Sequence, residues 1–312
     1  MPDTPPPLFV VLNPGSGENE ARETRDRIAA VLAASGRPHE IIEVPAPDIA
    51  SACRTAARRA RETGGALVAV GGDGTLNSAA QAALTEGCTL GVIAQGTFNL
   101  FAREHGLPLE AEDATRCLLA AQPVPVAVGL VNQRVFLVNA SIGLYPRVLS
   151  DREAFKQKLG RHRWVALLSG IVSLLGWRRR LVLEIEQDGQ LRNLRTPTLF
   201  VGNNREQLER VGIGPEVMGT AGRGTLAALA PRPQGRWAKW RLLLRGVTGR
   251  LGDSEELDSF AFRSLTVKTG TRRSLEVATD GEVVRMQPPL RFSVSPKPLM
   301  LLKPVDGGGG AA

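Results

Sequence analysis

Three short apolar runs in the first hundred residues each break into a glycine-bearing bend and then a helical pattern. Residues 8–12 precede Asn13-Pro14-Gly15-Ser16-Gly17. Residues 66–70 precede Gly71-Gly72-Asp73-Gly74-Thr75-Leu76-Asn77, and residues 90–94 precede Gly96-Thr97-Phe98-Asn99. A further strand is expected at Glu40–Val44, closed by Pro45. Continuous apolar runs of this length read as strands buried on both faces. Helical spacing follows over 19–34, over 48–61 with Asp48 as N-cap and Gly64-Gly65 as the stop, over 75–84 and over 98–105. Strand and helix alternating in this way predict a parallel sheet with helices on both faces, an α/β domain.

After about Pro125 the pattern changes to short β-rich runs. They fall at 126–130, 134–140, 181–187, 190–194, 198–202, 225–230, 257–267, 274–278, 282–287 and 290–295, with Asp188-Gly189 as a hairpin signal. Two helical patterns interrupt them, at 151–177 and 236–250. The fold class is therefore α/β plus β. An N-terminal parallel-sheet domain covers 8–125, and a mostly antiparallel β domain covers 126–296. The last apolar run, 299–302, lies in a segment, 297–305, that is expected to return to the first domain; the sequence alone leaves this open. Residues 1–7 and 306–312 read as flexible tails.

The bends carry the chemistry. In a parallel sheet, ligands bind at the carboxyl ends of the strands. Glycine there lets backbone N–H groups approach an oxyanion without a Cβ in the way. A helix starting after each bend adds its positive end. Asp73 is the one carboxylate among these donors, and beside phosphates it calls for a bridging cation such as Mg²⁺. Asn13–Gly17 taken alone reads equally as a tight turn.

Composition closes other routes. Lys and Arg number 39 against 31 Asp and Glu, a formal charge of +8, which favours an anionic partner without choosing one. Aromatics are 4% of the chain, with Tyr145 the single tyrosine, too few for stacking on single-stranded nucleic acid. No nucleic-acid fold motif accompanies the charge. Cys53, Cys88 and Cys117 stand far apart, which excludes a zinc ribbon or a disulfide framework and fits a reducing compartment. There is no H-E-x-x-H, no G-x-S-x-G, no Walker A sequence and no G-x-G-x-x-G in a first βα turn. The start has neither the basic nor the apolar region of a signal peptide, so a cytoplasmic protein is expected.

These bends resemble the motifs of the diacylglycerol kinase catalytic-domain family, in its bacterial lipid kinase branch. Asn13-Pro14-Gly15-Ser16-Gly17 looks like the family's N-P-x-[SA]-G, and Gly71–Asn77 matches its most specific motif, G-G-D-G-T-x-N. Gly96-Thr97-Phe98-Asn99-Leu100-Phe101-Ala102-Arg103 resembles its G-T-x-N-[DH]-F-A. Asn139-Ala140-Ser141-Ile142-Gly143 is similar to the segment that opens its second domain, and Thr279-Asp280-Gly281-Glu282 to its late D-G-E. The order is also the family's, over residues 8–304.

The resemblance implies ATP-dependent phosphorylation of a hydroxyl on diacylglycerol or a related long-chain lipid, as in phospholipid biosynthesis. It implies a nucleotide-binding α/β domain, a C-terminal β-sandwich domain for the lipid, and a cleft between them. Residue by residue, Asn13, Gly15, Ser16, Gly17, Gly71, Gly72, Asp73, Gly74, Thr75, Asn77, Gly96, Thr97 and Asn99 would hold ATP. Asp73 would act through Mg²⁺, and Glu282 would accept the proton of the lipid hydroxyl. By its residues alone, Asp280-Gly281 between two apolar runs reads first as a hairpin turn.

The chain departs from the family at several positions. Ser78 stands where Glu is usual after G-G-D-G-T-x-N, Pro45 or Ala46 where Thr is common, and Leu100 where Asp or His is usual. The acidic D-G-x-L-D of bacterial members corresponds to Arg223-Gly224-Thr225-Leu226-Ala227, with both carboxylates absent, which argues against the family's structural Mg²⁺.

Two apolar stripes flanked by basic residues bear on membranes. Trp164, Leu167, Leu168, Ile171, Leu174 and Leu175 share one helix face, and Trp237, Trp240, Leu244, Val247 and Leu251 another. Both can pack on the β domain. The second is expected to touch an anionic membrane surface transiently, at the inner face of the cell membrane. An NAD kinase-like enzyme, which shares G-G-D-G-T, and a catalytically weak nucleotide or lipid regulator stay open as alternatives. Oligomeric state, a homodimer included, leaves no signal in the sequence.

Overall fold

The computed structural model describes residues 5–14, 18–96, 98–143, 181–187, 190–203, 224–232, 257–269 and 273–304. The chain separates into two compact units, residues 1–127 with 296–312, and residues 128–295. The expected helical patterns at 151–177 and 236–250, and the Asp188-Gly189 turn, lie outside the described residues.

In the first unit, β1 (Leu8–Leu12), β2 (His39–Glu43), β3 (Ala66–Gly71), β4 (Thr89–Ala94), β5 (Gln122–Val126) and β18 (Leu299–Lys303) form a six-stranded sheet. The strand order is β2-β1-β3-β4-β18-β5. All neighbours are parallel except β18 and β5, so the expected parallel sheet ends in one antiparallel edge strand. Pro123 and Pro125 alternate along that edge. Proline gives no N–H to a ladder, so β5 suits an outermost position and makes a poor template for further pairing.

Helices cover both faces. Leu8, Val10 and Leu12 share a core with Ile28 and Leu32 of α1 (Glu18–Ser35) and with Ala111, Ala114 and Leu118 of α5 (Ala111–Ala120). Alternation turns Phe9 to the opposite face, where the Arg59 guanidinium lies over its ring at 4.6 Å. That face carries α2 (Ile49–Thr63) and α3 (Asp73–Glu86). Buried Ala56, Ala57 and Ala60 of α2 and Ala79, Ala80 and Ala83 of α3 let these two helices approach closely. A further short helix, α4, spans Leu100–Glu104.

Local differences from the sequence reading have physical causes. α5 was not expected, because its buried side is mostly Ala111, Ala114 and Thr115, a weak apolar stripe. Asp48 stands at the N-cap of α2, but its backbone is helical and its side chain makes no capping bond; a 3₁₀ turn, Ala46–Asp48, leads in instead.

The second unit is two six-stranded antiparallel sheets around one core. One sheet runs β10 (Gln190–Thr196), β9 (Leu181–Gln187), β14 (Ser264–Thr269), β17 (Leu290–Val294), β6 (Gly129–Val131), β7 (Arg134–Phe136). The other runs β13 (Leu257–Phe262), β12 (Leu226–Pro231), β11 (Thr198–Gly202), β8 (Asn139–Gly143), β15 (Leu275–Thr279), β16 (Glu282–Met286). Leu183, Ile185, Val267 and Phe292 of the first meet Ile142, Val201, Ala228 and Val277 of the second. The runs expected at 134–140 and 257–267 are each two strands, and each pair divides between the sheets. The chain crosses between layers there without a glycine, so an alternating pattern reads straight through.

Candidate active site

Parallel pairing brings the carboxyl ends of β1, β3 and β4 to one edge, with Leu12 beside Val70 and Gly71 beside Ala94. The ladder runs one step into each bend: the Asn13 N–H donates to the Val70 carbonyl at 3.1 Å, and the Gln95 N–H to the Gly71 carbonyl at 2.8 Å. Past that edge Gly72, extended, becomes the N-cap residue of α3, and Asp73 opens its first turn. The first turn of a helix presents amides that its own carbonyls do not satisfy, and Gly72 brings no capping side chain. Thr75 and Asn77 are buried under this turn. The Asn13 side-chain amide donates to the Thr75 hydroxyl at 3.2 Å, joining the first bend to the second.

The third bend closes on the second. Asn99, buried and left-handed at φ 49°, turns its Oδ1 back to accept the Gly96 N–H at 2.8 Å. A Cβ on Gly96 would stand 3.5 Å from the Gly72 Cα and 2.9 Å from Asn99 Oδ1. Backbone thus faces backbone across a cradle, where a Cβ on Gly96 would press on Asn99 Oδ1 and one on Gly72 would make an ordinary contact at 3.9 Å. Phe98 projects from the rim, largely exposed. Asp73 is half-buried. Among the described residues no three metal-ligating side chains cluster. One carboxylate beside phosphates suits Mg²⁺ carried on a nucleotide rather than a cage built by protein alone.

The structure therefore brings together Asn13, Gly71, Gly72, Asp73, Thr75, Gly96 and Asn99. Gly74 and Asn77 follow in the first two turns of α3. Gly15, Ser16, Gly17 and Thr97 lie outside the described residues, as do both Trp-bearing stripes and Arg223.

Glu282 belongs to the second unit. Thr279 and Glu282 pair at the end of the β15–β16 hairpin, and Asp280 and Gly281 form its two-residue loop at φ 47° and 91°. Both central residues at positive φ is what a tight hairpin of this hand requires, and Asp and Gly tolerate it. The hairpin reading of Asp280-Gly281 is thus correct, and it fixes where Glu282 starts.

Two contacts that sequence reasoning missed hold this hairpin. The Asp280 carboxylate accepts the backbone N–H groups of Leu137, Val138 and Asn139 at 2.7, 2.9 and 2.9 Å. The Asp280 N–H donates in return to the Asn139 carbonyl at 2.9 Å. Arg134 donates from Nε to the Thr279 hydroxyl at 3.0 Å and from Nη2 to Glu282 Oε2 at 2.8 Å. The Arg134 and Glu282 side chains are 34% and 49% exposed, and a pair so open is worth only about 0–1 kcal/mol of stability. No local pattern announces partners 145 and 148 residues apart. A cation five residues before the Asn139–Gly143 segment was the one available signal.

Burial shifts the thiols of Cys53 and Cys88 and the imidazole of His105. The Cys53 thiol is pushed up to about 12 and that of Cys88 to about 11, which makes both inert. Burial, with Lys303 nearby, pushes the His105 imidazole down to about 4.

Residues 7–131 match the family described as the diacylglycerol kinase catalytic domain, a span that holds all three bends. The Probable lipid kinase YegS-like protein of Pseudomonas aeruginosa (strain UCBPP-PA14) is 30% identical over 248 residues, 76% of each chain. The protein of the same name from Pseudomonas putida is 30% identical over 244 residues, covering 76% of this chain and 77% of that one. The crystal structure of a diacylglycerol kinase from Bacillus anthracis str. Sterne superposes with a TM-score of 0.66 at 20% identity, covering 97% of this chain and 98% of that one.

Proposed function

The chain belongs to the diacylglycerol kinase-like family of lipid kinases, and on that premise we propose that it transfers the γ-phosphoryl of ATP to a hydroxyl of diacylglycerol or a related long-chain lipid. The observation that carries the reading is the meeting of Gly72 and Gly96, backbone to backbone, at the tips of β3 and β4 and at the start of α3. Such a cradle suits a polyphosphate: the first turn of α3 offers unsatisfied amides, Gly72 and Gly96 carry no Cβ, and the helix end is positive.

Asn13, the Gly71–Asn77 stretch, Gly96 and Asn99 bind and orient the nucleotide phosphates. Asp73 would hold Mg²⁺ against them, and that ion would supply charge neutralisation at the phosphoryl oxygens. In the transfer, a bond forms between the lipid oxygen and the γ-phosphorus as the bond to the β-phosphate oxygen breaks, and ADP leaves. The hydroxyl proton passes to Glu282. The transition state is loose, so placement and charge matter more than the strength of the base.

The acceptor resides in a bilayer. Among the described residues no helix is long and apolar enough to cross one. The net charge of +8 favours transient, peripheral contact with an anionic leaflet.

Radiolabelled ATP tests the reading. Label should enter an organic-phase product when mixed micelles of diacylglycerol are supplied. Label in NADP instead would assign the NAD kinase-like activity, and no transfer to any acceptor would leave a binding regulator.

A further inference from the structure

We infer that Arg134 is the positioning residue for Glu282: it fixes one carboxylate oxygen so that the other meets the acceptor hydroxyl. The inference rests on the reading of Glu282 as proton acceptor and extends it to a residue on a different sheet.

The geometry is specific. β7 is the outermost strand of one sheet and β16 the outermost strand of the other. Arg134 spans them with a two-point grip, Nε on Thr279 and Nη2 on Glu282. Thr279 is 1% exposed and sits directly across the ladder from Glu282, so the grip starts from an immobile hydroxyl. A guanidinium is a planar fork whose donors keep fixed relative directions. Once Nε is seated on Thr279, the direction of Nη2 follows, and with it the place of Oε2.

Glu282 needs such a grip. Its side chain has three rotatable bonds and is half exposed, and among the described residues Arg134 is its one hydrogen-bond partner. Among the described residues Oε1 has no hydrogen-bond partner, which leaves one oxygen available to a proton while its twin is held. Asp280 fixes the backbone of the same turn through the amides of Leu137, Val138 and Asn139. Asp280 thus sets where the side chain begins and Arg134 where it ends. As stability the exposed pair counts for little; as orientation it matters, because a misplacement of about 1 Å can cost about 10²-fold in rate.

The test compares Arg134→Gln, Arg134→Lys and Thr279→Val in the full-length enzyme, alone and with Glu282→Gln, using radiolabelled ATP and micellar diacylglycerol. Arg134→Gln should lower kcat by about 10- to 100-fold with KM for ATP within about twofold. Arg134→Lys keeps the charge without the fork and should recover only part of the loss. Thr279→Val keeps Arg134 and frees its anchor, so it should lower kcat in the same direction; it carries the test if Arg134→Gln does not fold, as judged by thermal unfolding. In the Glu282→Gln background, the Arg134 change should alter the residual rate by less than about twofold, because its effect runs through Glu282. Equal losses in both backgrounds, or wild-type kcat in Arg134→Gln beside a disabled Glu282→Gln, would overturn the inference and leave the base assignment standing. Wild-type kcat in Glu282→Gln would remove the base assignment and the inference with it.

Discussion

The side-chain amide of Asn13 donates to the Thr75 hydroxyl at 3.2 Å, so the tip of β1 is held against the first turn of α3. Two bends 62 residues apart in sequence therefore act as one wall of the cradle. Asn13→Ala should keep the fold and raise KM for ATP by about 5- to 10-fold, on the scale of one hydrogen bond of about 1 kcal/mol. Steady-state kinetics against ATP at a fixed micellar acceptor checks this. An unchanged KM would separate Asn13 from nucleotide binding.

Gly71 is confined by the same hydroxyl. A Cβ there would stand 2.7 Å from Thr75 Oγ1 and 2.8 Å from its Cβ, and Thr75 is buried. Gly71→Ala should destabilise the protein by about 1–3 kcal/mol through overpacking. Pairing it with Thr75→Ser, which removes a methyl group, should recover part of the loss in urea unfolding.

Asp280 makes a third, separable prediction. Its carboxylate accepts three backbone amides at the β7–β8 crossing. Asn tolerates the left-handed backbone found here at φ 47°, so Asp280→Asn removes the charge without straining the turn. Hydrogen bonds to a charged group are worth about 1.5–3 kcal/mol each, so the loss should be at least about 1.5 kcal/mol in urea unfolding.

What was legible in the sequence, and what was not, divides along the range of the interactions. β1 and β3 are buried on both faces, and such strands write themselves as apolar runs, Leu8–Leu12 and Ala66–Gly71. The bend after β3 was legible through its glycines, and at Gly71 the structure shows why: a Cβ there would stand 2.7 Å from Thr75 Oγ1. α5 was overlooked because alanines bury a helix face without marking one. The sheet changes at Val138 and Arg263 were hidden because an alternating pattern reports which face is buried and not which sheet the strand joins. Asp280 was visible as a turn residue. Its hold on Leu137, Val138 and Asn139, and the grip of Arg134 on Thr279 and Glu282, span more than 140 residues and follow only from the layered fold.

His105 supplies a pH prediction. An imidazole in the unfolded chain takes its proton near 6.5, whereas burial, helped by Lys303, holds that of folded His105 down to about 4. The unfolded state therefore binds more protons between these values, and stability must fall as pH drops through them. The contribution is complete above about pH 6.5, declines toward pH 4 and changes no further below it, by up to about 3 kcal/mol in all. Urea unfolding of wild type and His105→Gln at pH 7 and pH 4.5 should show the smaller acid sensitivity in the variant.

The central claim is that Glu282 takes the proton of a lipid hydroxyl attacking a bound nucleotide. Phosphoryl transfer by Glu282→Gln at saturating ATP tests it most directly, with nucleotide affinity measured on the same preparation. The account predicts a loss of about 10²–10⁴-fold in transfer with ATP binding unchanged. Transfer at the wild-type rate by that variant would contradict it.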